Sequence, residues 1–226
     1  MAQDPFDSKT IYLGSQFVHK STDKGASWQM ISTDLTTNDS VKIKAFQNTM
    51  MRVRYSSIPV VVAPHNLALG GACEMSLHAD KVIAAAETYT GLVEVGIGVI
   101  PGGAGTKEFV LRAADEMHDG EVDTLTLQNR FLTIATAKVA TSAHEAYDLG
   151  IYRKGRDLVS VNQGRRIAEA KQAVIDLYDD GYIMPVKRTD IKVLGRSALG
   201  AMHAGINGMR LGNYATAHGT SWWLRL

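Results

Sequence analysis

Short hydrophobic runs mark the first 40 positions of the chain, whereas longer periodic stretches follow. The runs IYLGS, FVHKS and SWQMIS are β-prone, and the turn-forming TDKG joins the second to the third, which predicts strands and a hairpin. From residue 41 to Pro59, apolar residues recur at the spacing of one helix face, at Ile43, Phe46, Met50 and Val53. We therefore expect two parts with a boundary near residue 40.

After Pro59 the chain alternates between strand and helix patterns. PVVVA is an uninterrupted apolar run, typical of a strand buried on both faces, and DKVIAAA predicts a second such strand. GACEMSLHAD, KEFVLRAADEM, TLQNRFLTIATAKV, SAHEAYDLG and GRRIAEAKQAVIDLYDDG predict helices, and RDLVSV a further strand. Ser142 and Glu145 have the spacing of a capping box, and Gly150 is placed to end that helix. The pattern predicts an α/β sheet with crossover helices.

Composition excludes several classes of function. The 226 residues are 45% apolar, enough for one ordinary domain with a small appendage. The 24 Lys and Arg nearly cancel the 23 Asp and Glu, so no charge pattern favours nucleic acid or a membrane surface. Cys73 is the single cysteine, no Cys/His spacing resembles a metal site, and no 18 apolar residues occur in a row. We expect a cytoplasmic protein without signal peptide, membrane span or metal.

Candidate chemistry begins at ALGGACE, residues 68 to 74, and continues in GLVEVGIGVIPGGAGT. A glycine pair lets a ligand approach the main chain, and the first turn of a helix has amides without acceptors. Such a corner binds developing negative charge, as on a thioester oxygen that becomes an enolate, and Glu74 would project from the same corner. The alternative is a packing turn with an exposed Glu74. A second carboxylate, Glu94, lies beside the next glycine cluster.

These segments carry a resemblance to a known family. PVVVAPHNLALGGACEMSLHADKVIAAAE followed by GLVEVGIGVIPGGAGTKEF resembles the enoyl-CoA hydratase/isomerase (crotonase) superfamily, from about Lys42 to about Ala217. It is most similar to the hydratase-like portion of bacterial β-oxidation proteins that also carry a 3-hydroxyacyl-CoA dehydrogenase. The resemblance implies an α/β fold, a partial crotonase-like spiral of β-β-α units over residues 41–218. An N-terminal β-hairpin segment would precede it, and an unrelated tail, 219–226, would follow.

The resemblance also implies roles for individual residues. Glu74 and Glu94 match the two glutamates that add water to a 2-enoyl-CoA thioester, and Gly71 matches one amide of the oxyanion hole. Substrate contacts are expected at Leu69, Gly70, Pro101 and Gly102. No cofactor is expected beyond the coenzyme A of the substrate, and such subunits assemble into trimers or hexamers. The second oxyanion amide should come from about residues 25 to 35, where GASWQMISTDL does not match, so weak activity is expected.

A second resemblance lies within residues 1–40. STDKGASW, residues 21 to 28, is similar to the Asp-box of sialidase-like and sortilin-like β-propellers. It implies that Asp23 accepts hydrogen bonds from turn amides, that Gly25 takes a positive φ and that Trp28 packs on the hairpin. A single copy carries no hydrolase chemistry, so residues 1–40 are interpreted as a separate folding segment.

Three hypotheses of function follow from the sequence. The first is an enoyl-CoA hydratase-like enzyme, the second an inactive acyl-CoA-binding or assembly remnant, and the third a β-hairpin interaction module. Outside the motif, His65 and His78 are expected to be surface or strand-end histidines, and Cys73 a small buried side chain.

Overall fold

The computed structural model describes residues 2–3, 11–14, 18–23, 26–27, 29–30, 40–117 and 124–211. The chain divides into two units, residues 1–44 and residues 45–226. The first unit contains a four-stranded antiparallel sheet in the order β1 (Ala2–Gln3), β2 (Ile11–Gly14), β3 (Val18–Ser21) and β4 (Gln29–Met30). The predicted hairpin is confirmed, because β3 and β4 pair directly.

The turn between β3 and β4 is held by Asp23. Its carboxylate accepts hydrogen bonds from the Ser27 amide at 2.8 Å and from the Ser27 hydroxyl at 2.5 Å. Such aspartate-to-backbone bonds stabilise turns because the side chain substitutes for a main-chain acceptor. The expectations for Gly25 and Trp28 lie outside the described residues.

Helix α1 (Ser40–Arg54) leads into the second unit and ends before Pro59, as predicted. Of its predicted apolar face, Met50 is buried, whereas Phe46 is 36% exposed. Phe46 therefore serves a surface other than the main core, and its position becomes important at the candidate site.

The second unit continues with strands and helices in alternation. In chain order its elements are β5 (Val61–Val62), β6 (Asn66–Leu69), α2 (Gly71–His78), β7 (Lys81–Ala85), β8 (Thr88–Gly91), a 3-10 helix (Glu94–Ile97), α3 (Gly105–Glu116), α4 (Thr124–Ala135), α5 (Ala143–Asp148), β9 (Leu158–Ser160), α6 (Arg166–Asp179) and α7 (Gly195–Leu211). Strands β5, β7 and β9 form one parallel sheet in that order, and β6 pairs in parallel with β8. The predicted α/β class is confirmed.

Two details of the strand prediction were wrong. PVVVA forms only the two-residue strand β5, with half-buried side chains, instead of a strand buried on both faces. The chain then turns into β6, and neither β6 nor its partner β8 was predicted, because these four-residue strands are defined by pairing with each other. Their register places Leu69 opposite Gly91, directly before the glycine pair.

The hydrophobic core lies where α2, β7, α3 and α5 meet. Its fully buried members include Cys73 and Leu77 of α2, Val82 of β7 and Phe109 of α3. This packing fixes the two helices that carry the candidate site, because well-packed cores allow little sliding of one element past another.

The caps of α5 follow the sequence prediction in part. The Ser142 hydroxyl accepts a hydrogen bond from the Glu145 amide at 3.1 Å, as a capping box requires. The Glu145 carboxylate instead accepts from the Thr141 amide at 2.8 Å, one residue earlier than the box predicts. Gly150 has φ +71°, which confirms its role as the stop of the helix.

Candidate active site

The corner between β6 and α2 is shaped by the glycine pair. Gly70 adopts φ +55° and ψ −122°, a conformation that is accessible almost only to glycine, and its amide donates to the Gly91 carbonyl at 2.9 Å. Gly71 is the first residue of α2, as predicted, so its amide has no acceptor within the helix. The arrangement leaves a backbone donor at the place where the sequence analysis expected one.

Glu74 lies one turn into α2 and is fully buried. Its Oε2 accepts a hydrogen bond from the Gly103 amide at 2.9 Å, and its Oε1 accepts from the Gly105 amide at 2.8 Å. Burial raises the pKa of Glu74, the two amides oppose that effect, and the negative charge of Glu94 raises it further. The alternative of an exposed Glu74 at a simple packing turn is therefore wrong.

Glu94 begins the 3-10 helix that follows β8. A β-carbon at Gly70 would lie 3.1 Å from its Oε1, so the carboxylate is next to the glycine corner. Its Oε2 is buried without a hydrogen-bond partner among the described residues. Burial raises the pKa of Glu94, against the amides of Glu94 itself and Val93. Two carboxylates with raised pKa thus flank the start of α2, in different environments.

The glycine loop before α3 and the ring of Phe46 complete this corner. A β-carbon at Gly103 would overlap the Glu74 carboxylate and lie 2.6 Å from the Phe46 ring. A β-carbon at Gly71 would lie 3.1 Å from the same ring. Sequence reasoning missed Gly103, Gly105 and Phe46 as parts of the site, although the IPGGAGT cluster was a visible signal for the first two.

The glycine corner lies within a segment that is similar to known proteins. Residues 24–122 match the family model described as enoyl-CoA hydratase/isomerase. A structure of an enoyl-CoA hydratase from Bacillus anthracis is similar with a TM-score of 0.50 and 26% identity, over 65% of this chain and 50% of that one. The match and this structure support the crotonase superfamily, whose family model covers residues 24–122 of the chain.

Curated relatives agree with this similarity to the crotonase superfamily. A probable 3-hydroxyacyl-CoA dehydrogenase of Bacillus subtilis (strain 168) is 38% identical over 214 residues, which cover 93% of this chain and 26% of that protein. The mitochondrial methylglutaconyl-CoA hydratase of Rattus norvegicus is 39% identical over 66 residues, 29% of this chain and 20% of that protein. The chain thus spans about a quarter of the first relative and half of the Bacillus anthracis structure.

The comparisons bear on the N-terminal segment too. The match to the crotonase family model begins at residue 24, inside the segment 1–40 that the sequence analysis set apart. The Asp-box resemblance has no support among the relatives found. The partition of the chain at residues 40 and 218 stays a prediction, and residues 219–226 lie outside the described part.

Next to Glu94 the crotonase-like unit holds an apolar cavity of about 300 Å³. Val95 of the 3-10 helix and Ile100 line one side. The rest of the wall comes from α3, α4 and α7, with Phe109, Phe131 and Met202, and from Met117 and residues 192–194 before α7. Of the residues expected to contact substrate, Leu69 ends β6, Pro101 is buried, and Gly102 has no described atom within 4 Å of the position of a β-carbon.

Two other candidate residues, Cys73 and His78, lie in the interior of the protein. Cys73 is buried as expected, and burial raises the pKa of its thiol to about 12. His78 is also fully buried, so its assignment to the surface or a strand end was wrong. Among the described residues, no cluster of acidic, His or Cys side chains could hold a metal ion. No helix within the described part of the chain is long and apolar enough to cross a membrane.

Proposed function

We propose that the corner formed by Gly71, Glu74 and Glu94 catalyses the hydration of a 2-enoyl-CoA thioester. The observation that carries this proposal is the pair of carboxylates, each with a raised pKa, at one glycine corner: Glu94 lies next to Gly70, and Glu74 lies on the first turn of the helix that Gly71 begins. Proton transfer at neutral pH is served best by groups whose pKa is moved toward neutrality. The similarity to the superfamily supplies the substrate class, an acyl-CoA.

Each carboxylate has a separate task in the proposed reaction. Glu74, held by two backbone amides, activates a water molecule whose oxygen bonds to C3 of the enoyl group. Electron density moves to the thioester oxygen, which the Gly71 amide stabilises as an enolate. Glu74 takes one proton of the water, and protonated Glu94 donates a proton to C2 as the enolate returns to the thioester. Transfer of a proton from Glu74 to Glu94 then restores the starting protonation of both. Water adds syn because both glutamates act from one side of the substrate.

The apolar cavity beside Glu94 supports an acyl chain as the part of the substrate that lies deepest. Its lining is mostly apolar and holds no carboxylate, with Arg130 and Lys192 as the charged side chains at its wall, which suits a hydrocarbon chain. The reaction needs no cofactor, since coenzyme A belongs to the substrate.

Hydration of crotonyl-CoA, followed by the loss of ultraviolet absorbance of the conjugated thioester, tests this function. We expect slow but measurable turnover in the purified chain, none with Glu94→Gln, and much less with Glu74→Gln. If the wild-type chain and Glu94→Gln both match buffer, the second hypothesis of an inactive acyl-CoA-binding remnant replaces the proposal. Equal activity of both proteins above buffer would show that Glu94 has a different role.

A self-associating assembly is the second element of the proposal. The segment between α6 and α7 has no regular structure, and its Ile183 and Val186 side chains are 83% and 80% exposed. Burying such side chains is favourable by about 1.5–3 kcal/mol each, which favours association of copies through this segment. Light scattering should show a trimer or hexamer, smaller in Ile183→Asp and unchanged in Val161→Asp, an equally exposed position elsewhere. A monomer at micromolar concentration contradicts this element.

A further inference from the structure

The second unit holds another cavity, of about 500 Å³, which is polar. Residues of α3, α4 and α5 and of the loop after α5 form its wall, and none of Gly71, Glu74 and Glu94 lines it. Seven of its ten lining residues are charged, in contrast to the apolar cavity beside Glu94. Sites for small molecules usually have about 300–1,000 Å³, so this cavity has room for a small charged ligand.

The charges in this wall do not balance by pairs. Its three acidic side chains are each paired with a cation: Glu116 with Arg130 at 2.9 Å, Asp148 with Lys154 at 3.3 Å, and Asp115 with Arg188. Two guanidiniums of the wall, those of Arg112 and Arg153, have no paired carboxylate among the residues that the structure describes.

Arg112 is held by neutral acceptors. Its Nη1 donates to the carbonyls of Gly150 at 3.1 Å and Ile151 at 2.6 Å, and its Nη2 donates to the Leu77 carbonyl at 2.9 Å. These bonds connect α3 to α2 and to the loop after α5, but carbonyls do not neutralise a charge. Burial and the charge of Arg153 lower the pKa of Arg112 to about 9, against the effect of nearby acids.

Arg153 has fewer contacts than Arg112. Its main-chain amide donates to the Asp157 carboxylate at 2.7 Å, whereas its side chain makes no hydrogen bond or ion pair within the described part of the chain. One nitrogen of the guanidinium, Nη2, is buried without an acceptor. Burial and the charge of Arg156 lower the pKa of Arg153 as well. Since a buried donor without an acceptor is unfavourable, a ligand with negatively charged oxygens would stabilise this arrangement.

We infer that this cavity binds a phosphate group, with Arg153 as its direct partner and Arg112 as a second positive charge. A phosphomonoester carries a charge of about −1.5 to −2 at pH 7, close to the opposite of two guanidiniums. The planar guanidinium also presents paired N–H donors that match two phosphate oxygens. A carboxylate would neutralise only one of the two arginines. The inference does not depend on the proposed function, because no residue of the glycine corner takes part.

Titration of inorganic phosphate into the purified full chain, followed by phosphorus NMR at constant ionic strength with chloride as the reference salt, tests this site. We expect saturable binding to the wild-type chain and a loss of affinity of about 10- to 100-fold in Arg153→Gln, the usual worth of hydrogen bonds to a charged group. Asp148→Asn should bind phosphate more tightly than wild type, because it removes a negative charge from the wall. No saturable binding to wild type, or wild-type affinity in Arg153→Gln, would overturn the inference.

Arg165→Gln is the matched control for Arg153→Gln. It makes the same chemical change at an exposed position that does not line the cavity. Its affinity for phosphate should equal that of wild type, and an equal loss in both variants would show that only the net charge of the chain matters, which contradicts the site. Arg153→Lys keeps the charge but not the paired donors, so its affinity should lie between those of wild type and Arg153→Gln. If Arg153→Gln fails to fold, wild-type affinity in Arg153→Lys overturns the inference.

The same variants distinguish two sources of the phosphate group. If Arg153→Gln weakens the binding of coenzyme A, the phosphate is part of the proposed substrate, and dephospho-coenzyme A then shows whether the ribose phosphate or the pyrophosphate is held. If coenzyme A binds equally to both proteins while inorganic phosphate is lost, the phosphate belongs to a separate small molecule. A wild-type chain without hydration activity refutes the proposed function and leaves the phosphate titration decisive for this cavity.

Discussion

Oε1 of Glu94 lies so near to Gly70 that a β-carbon on this glycine would be only 3.1 Å away. Gly70 comes from the end of β6 and Glu94 from the end of β8, two strands that run parallel as neighbours. The parallel pairing of β6 with β8 therefore brings Glu94 to the same corner as Glu74. Parallel strands place their carboxyl ends at one edge, where side chains from both can act together.

Glu94→Gln should abolish hydration and stabilise the fold. Burial raises the pKa of Glu94, so the folded state disfavours the ionised form, and stability declines as the pH rises through the window between the unfolded and the folded pKa. The variant lacks this cost. Its melting temperature should exceed that of wild type at pH 7, and the two should converge in acid. A variant less stable than wild type at pH 7 would show that hydrogen bonds to the carboxylate, such as those from the Glu94 and Val93 amides, outweigh its burial cost.

Glu74→Gln should have the opposite effect on stability, although it too should lower turnover strongly. The variant also removes the burial cost that raises the pKa of Glu74, but its NH₂ group would point at the Gly103 or the Gly105 amide, so one buried donor would lose its acceptor. We expect a loss of about 1–3 kcal/mol in the free energy of unfolding, measured by urea denaturation. If Glu74→Gln lowers the free energy of unfolding and Glu94→Gln raises it, the two carboxylates lie in different environments. A change in the same direction for both variants would contradict the environments described for them.

The position of the glycine corner could be predicted from the sequence because its causes are local. Gly71 begins α2 and Glu74 follows on the first turn, as the glycine pair and the helical pattern indicated. The acceptor geometry of Glu74 could not be predicted, since its donors are 29 and 31 residues away and are backbone amides, which no side-chain pattern reveals.

Nonlocal packing also explains the other differences. His78 looks like a surface residue in sequence, but it is buried where α2 packs against α3, with Nε2 3.5 Å from Oε1 of Glu108. Phe46 fits the apolar face of α1, yet its ring packs on Gly71 and Gly103 instead of the core. The environments of His78 and Phe46 depend on contacts between two different elements. The apolar periodicity along a single helix cannot predict such contacts.

Gly103→Ala should disrupt the site through steric overlap. The new methyl group would overlap the Glu74 carboxylate and press on the Phe46 ring, and such overpacking typically costs about 1–3 kcal/mol. Gly102→Ala is the stability control, since its β-carbon meets no described atom within 4 Å and its φ is not positive. The melting temperature should fall for the first variant and change little for the second. Equal melting temperatures would mean that the loop around Gly103 shifts away from Glu74 and Phe46 without a loss of stability.

Gly70→Ala should damage catalysis more than its backbone strain alone explains. Alanine would be strained at φ +55° and ψ −122°, and its methyl group would also push Oε1 of Glu94 by a few tenths of an ångström. Gly98→Ala is the matched variant, because Gly98 also has a positive φ, +83°, at the end of the Glu94 helix but has no described atom within 4 Å of its β-carbon position.

Both variants should lose stability, by about 1–3 kcal/mol. Turnover per folded molecule should fall on the order of tenfold or more in Gly70→Ala and stay near wild type in Gly98→Ala, because only the first moves a reacting carboxylate. Equal turnover per folded molecule in the two variants would show that Gly70 is needed only for its backbone conformation and does not affect the position of Glu94 in catalysis.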